Sequence, residues 1–462
     1  MTVPASIFLE FNLPNATSWF YFSLLLAVGL FFKFSRFLSV RNWDLLTLFL
    51  LFPGLLLCQE GARQEQLARD LAKQPTAEPD RAQNAALIAG LTTTAQRARW
   101  FGYVWLFGAS AYFLVRCLAD LVLVRRPSLT PNLNLAGLAW LAAALFVCLV
   151  AVAVRRPETP PEPVGKVSPV QDLTQRQVQA WVQADGTDPG EVRFWVERVL
   201  ACVCHLSVVV ALAVIGWRHF QDLHGGIAAA TCYLLLPYTA FFVGQVHHIW
   251  PVALLIWAVA AYRWPTVAGL LLGLTAGAVY PALTFPVWVS FYWRRGSGRF
   301  LAAFALTAGV SLTVVGLSLW SNGPLANSLQ SAINLSDWQP WSMRASEGFW
   351  TNVHWSYRIP VFIVYVAFLG MTALWPAPKN LAHLLALSAA LLIGCQFWYA
   401  DKGGVYVLWY LPLLLLLMFR PNLADRQAPT IHPENDWLHW TGRRLARLGH
   451  RLFRFPEPAH AV

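Results

Sequence analysis

The residues with chemistry to offer stand at the ends of long apolar runs, and they are few. Gly244-Gln245-Val246-His247-His248 places one amide and two imidazoles within four residues. Amides and imidazoles donate hydrogen bonds to anions, and a protonated imidazole donates more strongly. Adjacent histidines on a helix point about 100° apart, which argues against a metal site. The same pair beside Trp250 also reads as a plain interfacial pair. Tyr280 stands next to Pro281, and Arg344 and Arg358 flank the end of a stretch rich in tryptophan (Trp320, Trp338, Trp341, Trp350, Trp355). That stretch reads as an aromatic belt at a membrane interface or as a platform for sugars or lipids.

A reaction at a hydroxyl also needs a carboxylate base. The acids in question lie between residues 155 and 196. Asp188-Pro189-Gly190-Glu191 reads as a helix-opening capping box. Asp172 with Gln175 reads the same way for a short amphipathic segment carrying Leu173, Val178, Trp181 and Val182. Asp185-Gly186 reads as a turn. A turn beside a helix end leaves the Asp185 carboxylate available, so it is the first choice, with Asp172 second.

Within the apolar runs ionisable groups are rare. Arg116 and Asp120 are four residues apart and share a helix face, where they can pair. Glu197 and Arg198 open a later run, with His205 two turns deeper. No series of Asp, Glu or His crosses from one end to the other, which disfavours a proton-coupled pump.

These groups must be positioned by helices in a membrane. The chain of 462 residues is 57% hydrophobic and only 12% charged, about half the charge of a soluble domain. Apolar stretches of roughly 15–20 residues recur throughout, the signature of spanning helices. Runs such as Leu411 to Met418 do not alternate, which excludes a β-barrel. The expected class is therefore all-α, a polytopic transmembrane bundle of about 13 spans. These lie near 17–34, 42–58, 99–123, 134–154, 197–217, 225–243, 247–262, 265–279, 281–293, 299–320, 357–375, 381–399 and 404–419. The first run is not a signal peptide, because its basic residues follow it instead of preceding it. No inverted pair of broken helices is evident.

Charge sets the expected orientation. With the N-terminus outside, every inner connection receives a basic residue: Lys33/Arg36/Arg41, Arg125/Arg126, Arg218, Arg263, Arg294/Arg295/Arg299, Lys379 and Arg420 onward. The long loops 59–98, 155–196 and 321–356 then lie outside, and the expected location is the inner (plasma) membrane. The net charge of +11 is explained by these ends and by the C-terminal tail, so no nucleic-acid partner is expected. Arg443, Arg444, Arg447, Arg451 and Arg454 recur at helical spacing with leucines between them. The tail reads as an amphipathic helix on anionic lipid or as a solvated tail. Seven cysteines, all in or beside apolar runs, are expected to be free and buried. The expected divisions are a four-span region 1–154 with loop 59–98, an outer loop 155–196, a membrane core 197–420 with outer loop 321–356, and a basic tail 421–462.

One stretch carries a resemblance. After Leu-Leu-Leu-Pro-Tyr238 come Gly244-Gln245-Val246-His247-His248, Ala268-Gly269-Leu-Leu-Leu-Gly273-Leu-Thr-Ala-Gly277, Tyr280-Pro281 and Trp293-Arg294-Arg295. Val405 to Pro412 with the leucines after it closes the chain's last span. These resemble the GT-C class of membrane glycosyltransferases, especially the bacterial mannosyltransferase-like family that uses polyprenyl-phosphate sugars. The resemblance covers roughly half the chain. His247 stands where the family has Asn, and Val279 and Tyr280 stand where it has a Lys before the Pro. The resemblance implies a GT-C-like fold and sugar transfer at the outer face from a polyprenyl-phosphate donor to a glycan or lipid acceptor. It implies a carboxylate base in the first large outer loop, Asp185 or Asp172. The donor phosphate would be met by Gln245, His247, His248, Tyr280, Arg344 and Arg358. No metal and no other cofactor is implied, and membrane lipids and the lipid-linked sugar are the partners. The competing expectation is a non-enzymatic transporter or scaffold of envelope assembly. A third is a lipid-linked glycan ligase or polymerase.

Overall fold

The computed structural model describes residues 16–73, 81–122, 129–155, 189–320, 340–341, 348–432 and six positions between 440 and 448. Among these the regular structure is helical. The N-terminal helices are α1 (Ala16–Phe31), α2 (Val40–Thr47), α3 (Phe52–Lys73), α4 (Arg81–Ala119) and α5 (Leu135–Arg155). Then come α6 (Pro189–Ile215), α7 (Leu223–Leu235), α8 (Pro237–Phe241), α9 (Val246–Ala260), α10 (Pro265–Leu274) and α11 (Val279–Ala282). The chain continues through α12 (Phe285–Phe291), α13 (Ser297–Trp320), α14 (Arg358–Leu374), α15 (Leu381–Cys395) and α16 (Leu411–Phe419).

Among the described residues five stretches are long and apolar enough to cross a membrane: Val40–Lys73, Arg81–Ala119, Leu135–Arg155, Phe194–Phe220 and Trp355–Leu374. Five further apolar helices are shorter. Several expected single spans are interrupted, two of them where a proline stands in the first turn of the next helix. A proline lacks an N–H, and its ring clashes with the preceding turn, so it is favoured at the start of a helix. Residues 225–243 split at Leu236-Pro237 into α7 and α8. Residues 265–279 end as a helix at Leu274, followed by a 3-10 turn and an extended Ala278. Residues 281–293 become α11 and α12, the latter with Pro286 in its first turn.

The region 59–98 is not a loop over most of its length. Helices α3 and α4 run far past the expected span ends and pack along each other. A Cβ on Gly54 would lie 3.0 Å from the Gly102 carbonyl, and one on Gly61 would lie 2.8 Å from that of Ala95. Small residues thus let the two backbones touch. Arg99 forms an ion pair with Glu65 across this hairpin.

Two chemically distinct ends result. Helix α9 starts at Gln245 and ends where the Ala260 carbonyl meets His219 Nε2 at 2.6 Å. Its 15 residues give a separation of about 22 Å. Helices α6 and α15 join the same two ends. The end beyond Ala260 is basic. There Arg41 bonds the Phe31 carbonyl at 3.0 Å, and Arg295 bonds the Lys379 carbonyl at 3.0 Å and Gln427 at 2.6 Å.

A buried ionic cluster closes the basic end. Arg116 Nε and Nη2 meet the two Asp44 oxygens at 2.7 and 2.8 Å, and its Nη1 meets Asp120 at 3.2 Å. Arg420 Nε bonds the other Asp120 oxygen at 2.9 Å. The expected Arg116–Asp120 pair is present, but it is half of a four-member group. All seven cysteines are free; Cys117, Cys232 and Cys395 are buried, whereas Cys148 is exposed on α5.

Candidate functional site

The Gly244-Gln245 turn exists because the chain is broken twice around it. Pro237 opens the short α8, which ends by Phe242, and α9 begins again at Val246 with Gln245 as its N-cap. Gly244 is required by a neighbour from α6. A Cβ there would sit 1.7 Å from Nη1 of Arg198, whose guanidinium packs on the turn and over the Phe194 ring at 4.9 Å. Arg198 is 5% exposed.

Three discontinuous pieces of chain meet beyond this turn. The first carries His247 and His248, with ring centroids 3.9 Å apart. The second is the short α11, from which the Tyr280 hydroxyl donates to the His248 carbonyl at 3.0 Å. The third is the segment between α15 and α16. Buried Gln396 organises it: Oε1 accepts from the Gly404 and Tyr406 amides at 3.0 and 3.3 Å, and Nε2 donates to the Tyr406 carbonyl at 3.1 Å. The turn enclosed is left-handed at Lys402 (φ 50°) and Gly404 (φ 90°).

The pieces interlock through rings. Trp409 stacks on Tyr280 on one side (4.1 Å, 6°) and on Tyr406 on the other (4.4 Å, 9°). Tyr399 packs edge-on against both Tyr406 and Trp409. Trp409 Nε1 donates to His248 Nδ1 at 3.3 Å. That bond makes Nδ1 an acceptor, so a neutral His248 carries its proton on Nε2. Asp401, 7% exposed, belongs to the same segment; its backbone carbonyl accepts from the Tyr406 hydroxyl at 3.3 Å. The Gln245 amide oxygen has no hydrogen-bond donor among the described residues, and such an atom is costly unless something supplies one.

Of the residues singled out in the sequence, Gln245, His247, His248 and Tyr280 are brought together. Arg358 opens α14 and is 2% exposed. Its helix reaches the group through Trp398, whose ring lies against Phe362 and Tyr365 at 4.8 and 5.7 Å and whose chain neighbour is Tyr399. Asp172, Asp185 and Arg344 lie outside the described residues. Sequence reasoning passed over Arg198 as a span-opening charge and missed Tyr399, Asp401, Lys402 and Gln396. The available signal was Asp401-Lys402-Gly403-Gly404, a charged pair and two glycines inside an otherwise apolar region. Among the described residues no three His, Cys, Asp or Glu side chains gather as a metal site.

Comparison with protein-family models, with curated proteins and with solved structures finds no match to this chain. The fold and site define an all-helical protein suited to a membrane, with a polar and aromatic cluster at one end of its bundle.

Proposed function

We propose that this protein is an integral membrane glycosyltransferase of GT-C type, moving a sugar from a polyprenyl-phosphate donor to a glycan or lipid acceptor. In this reading the chain crosses the plasma membrane about 13 times, with some crossings made by broken helices. The aromatic end faces outward and the basic end inward. The observation that carries the reading is the Gln245 amide oxygen, buried without a donor among the described residues, three positions before His248, which contacts Tyr280, Trp409 and Tyr406. That oxygen is an acceptor, so it suits a sugar hydroxyl and not a phosphate oxygen. Tyr280 and Tyr406 are the outer rings of the stack on Trp409, and flat aromatic faces suit the C–H faces of a sugar ring.

The chemistry assigns roles to this chain's own groups. The acceptor hydroxyl oxygen attacks the anomeric carbon, and the bond from that carbon to the phosphate oxygen breaks. The phosphate departs with the electron pair, stabilised by hydrogen-bond donors such as His248 Nε2–H and by the Arg198 guanidinium. A carboxylate takes the hydroxyl proton. Asp401 is the acid on the described segment, and Asp185 and Asp172 are the further acids for this role from residues 156–188. A photoreactive polyprenyl-phosphate sugar tests the reading. Labelling should fall on peptides containing 244–250 and 396–409. Labelling spread along the lipid-facing helices, with none on these peptides, would overturn it.

A second reading, a non-enzymatic scaffold of envelope assembly, is favoured by one feature. The Tyr280–Trp409–Tyr406 stack and the His248 ring 5.1 Å from Tyr406 tie three chain segments together as a structural clasp would.

A further inference from the structure

The two kinds of arginine at the basic end are treated differently by the fold. Arg116 and Arg420 are matched by Asp44 and Asp120. Arg218, Arg263 and Arg426 are not matched by any acid among the described residues. They come from three parts of the chain to one end of the bundle: Arg218 precedes the buried His219, Arg263 follows Tyr262, whose ring packs on His219, and Arg426 pairs through its backbone with Leu381 at the start of α15. Helix α6 ends there in a wide π-turn, Gly216–Phe220, a feature often found where a helix is adapted to a task. The turn is possible because Gly216 touches Gly226, where a Cβ would lie 2.3 Å from the opposing Cα.

The geometry fixes each member. His219 Nε2 donates to the Ala260 carbonyl at 2.6 Å, and its ring packs edge-on against Tyr262 at 4.6 Å. Its Nδ1 is buried with no partner among the described residues. Arg218 lies over the Trp264 ring at 4.4 Å, and Arg263 bonds the Tyr262 hydroxyl at 3.3 Å. Arg426 is held in place by its own backbone, whose carbonyl accepts from Leu381 at 2.8 Å.

We infer that Arg218, Arg263 and Arg426 form a binding site for the phosphate of an anionic phospholipid headgroup. Guanidinium forks match phosphate oxygens, and three cations at this end with no ion-pair partner among the described residues supply the charge such a group needs. The choice of a lipid, and not a soluble phosphate, rests on the rings beside the cations. Trp217 and Trp264 are 66% and 43% exposed, and exposed tryptophans at helix ends sit at the headgroup level of a bilayer. Basic pockets between helices bind anionic headgroups in this way. This site is at the opposite end of α9 from the candidate reaction site and does not depend on the sugar-transfer reading.

The test uses the full-length protein in detergent micelles, with phosphatidylglycerol or phosphatidylcholine added and retention read by native mass spectrometry. Wild type should retain phosphatidylglycerol in preference to phosphatidylcholine. The triple variant R218Q/R263Q/R426Q should bind phosphatidylglycerol at least roughly tenfold more weakly, since each basic group near the headgroup contributes several-fold. The variant R218K/R263K/R426K keeps the charge and should retain most of the binding, which separates charge loss from misfolding. R63Q/R69Q, two exposed arginines on α3, is the control and should bind as wild type. No preference for phosphatidylglycerol in wild type, or equal losses in the triple variant and the α3 control, would overturn the inference. Competition by millimolar inorganic phosphate as strong as by lipid would overturn the lipid assignment.

Discussion

At the residue scale, Asp120 is the best guide to what one sequence discloses. Its pairing with Arg116 is legible, because residues four apart share a helix face. Its second partner, Arg420, lies 300 positions away, and Asp44 lies 72 positions from Arg116; no local pattern announces either. Breaking a buried group of this kind costs more than forming it gains, because the remaining charges are stranded. Arg116→Met should therefore lower stability by about 3–5 kcal/mol, read as thermal unfolding in detergent. The double change Arg116→Met with Asp44→Leu should recover part of that loss. A neutral single variant would show that the group carries no structural weight.

Lys379 gives a second residue-scale expectation. It lies between α14 and α15, donating to Ser290 Oγ at 2.9 Å and to the Ala373 and Pro376 carbonyls at 3.2 and 3.0 Å. Burial pushes its ammonium down to about 8 from the ordinary 10.5. Above pH 8 the folded form has lost a proton that the unfolded chain still holds, so stability rises with pH between about 8 and 10.5. Below pH 8 both forms are charged and the contribution is flat. Other groups titrate in the same window, so the informative quantity is the difference between wild type and Lys379→Met. Wild type should gain stability relative to the variant from pH 8 to 10, and a constant difference would contradict the assignment.

At the element scale, the sequence discloses apolar helices more readily than it discloses where they break. Hydropathy averages over a window and cannot see that Pro237 and Pro286 each restart a helix. It also cannot see that residues 59–73 and 81–98 extend two helices. The glycine pattern at 269 and 273 was legible as a motif, and packing explains it. A Cβ on Gly273 would sit 2.0 Å from Thr307 Oγ1 and 2.5 Å from the Phe304 carbonyl, and Thr307 Oγ1 donates to the Leu270 carbonyl at 3.0 Å. These residues let α10 lie directly on α13. Gly273→Leu should cost about 1–3 kcal/mol through overpacking. Gly309→Ala on α13, where a Cβ meets nothing within 4 Å, should be neutral or slightly stabilising. Equal unfolding temperatures for the two variants would remove close packing as the reason for the motif.

At the scale of the whole molecule, the separation of a basic end from an aromatic end was foreshadowed by the alternation of arginines along the chain. The cluster at the aromatic end was only half foreshadowed. Gln245, His247, His248 and Tyr280 stand near one another in a recognisable stretch. Tyr399, Asp401 and Trp409 arrive from the last helical hairpin, which only the fold can deliver. Orientation follows from charge. Reporter fusions after Arg218, Arg263 and Arg295 should report the cytoplasm, and fusions within 160–185 and 325–350 should report the exterior. A cytoplasmic signal from 160–185 would invert the proposed orientation.

Sugar transfer itself is the most direct test. Purified wild type is given polyprenyl-phosphate sugars and glycan or lipid acceptors, beside Asp401→Asn, Asp185→Asn and Asp172→Asn. Each substitution keeps the side chain's shape and removes its capacity to take a proton. The expected result is transfer by wild type and a loss of roughly 10²–10⁴ in rate for Asp401→Asn, with Asp185→Asn and Asp172→Asn showing whether residues 156–188 share the role. No transfer by wild type with any such donor, or equal rates for wild type and Asp401→Asn, would contradict the proposed reaction site.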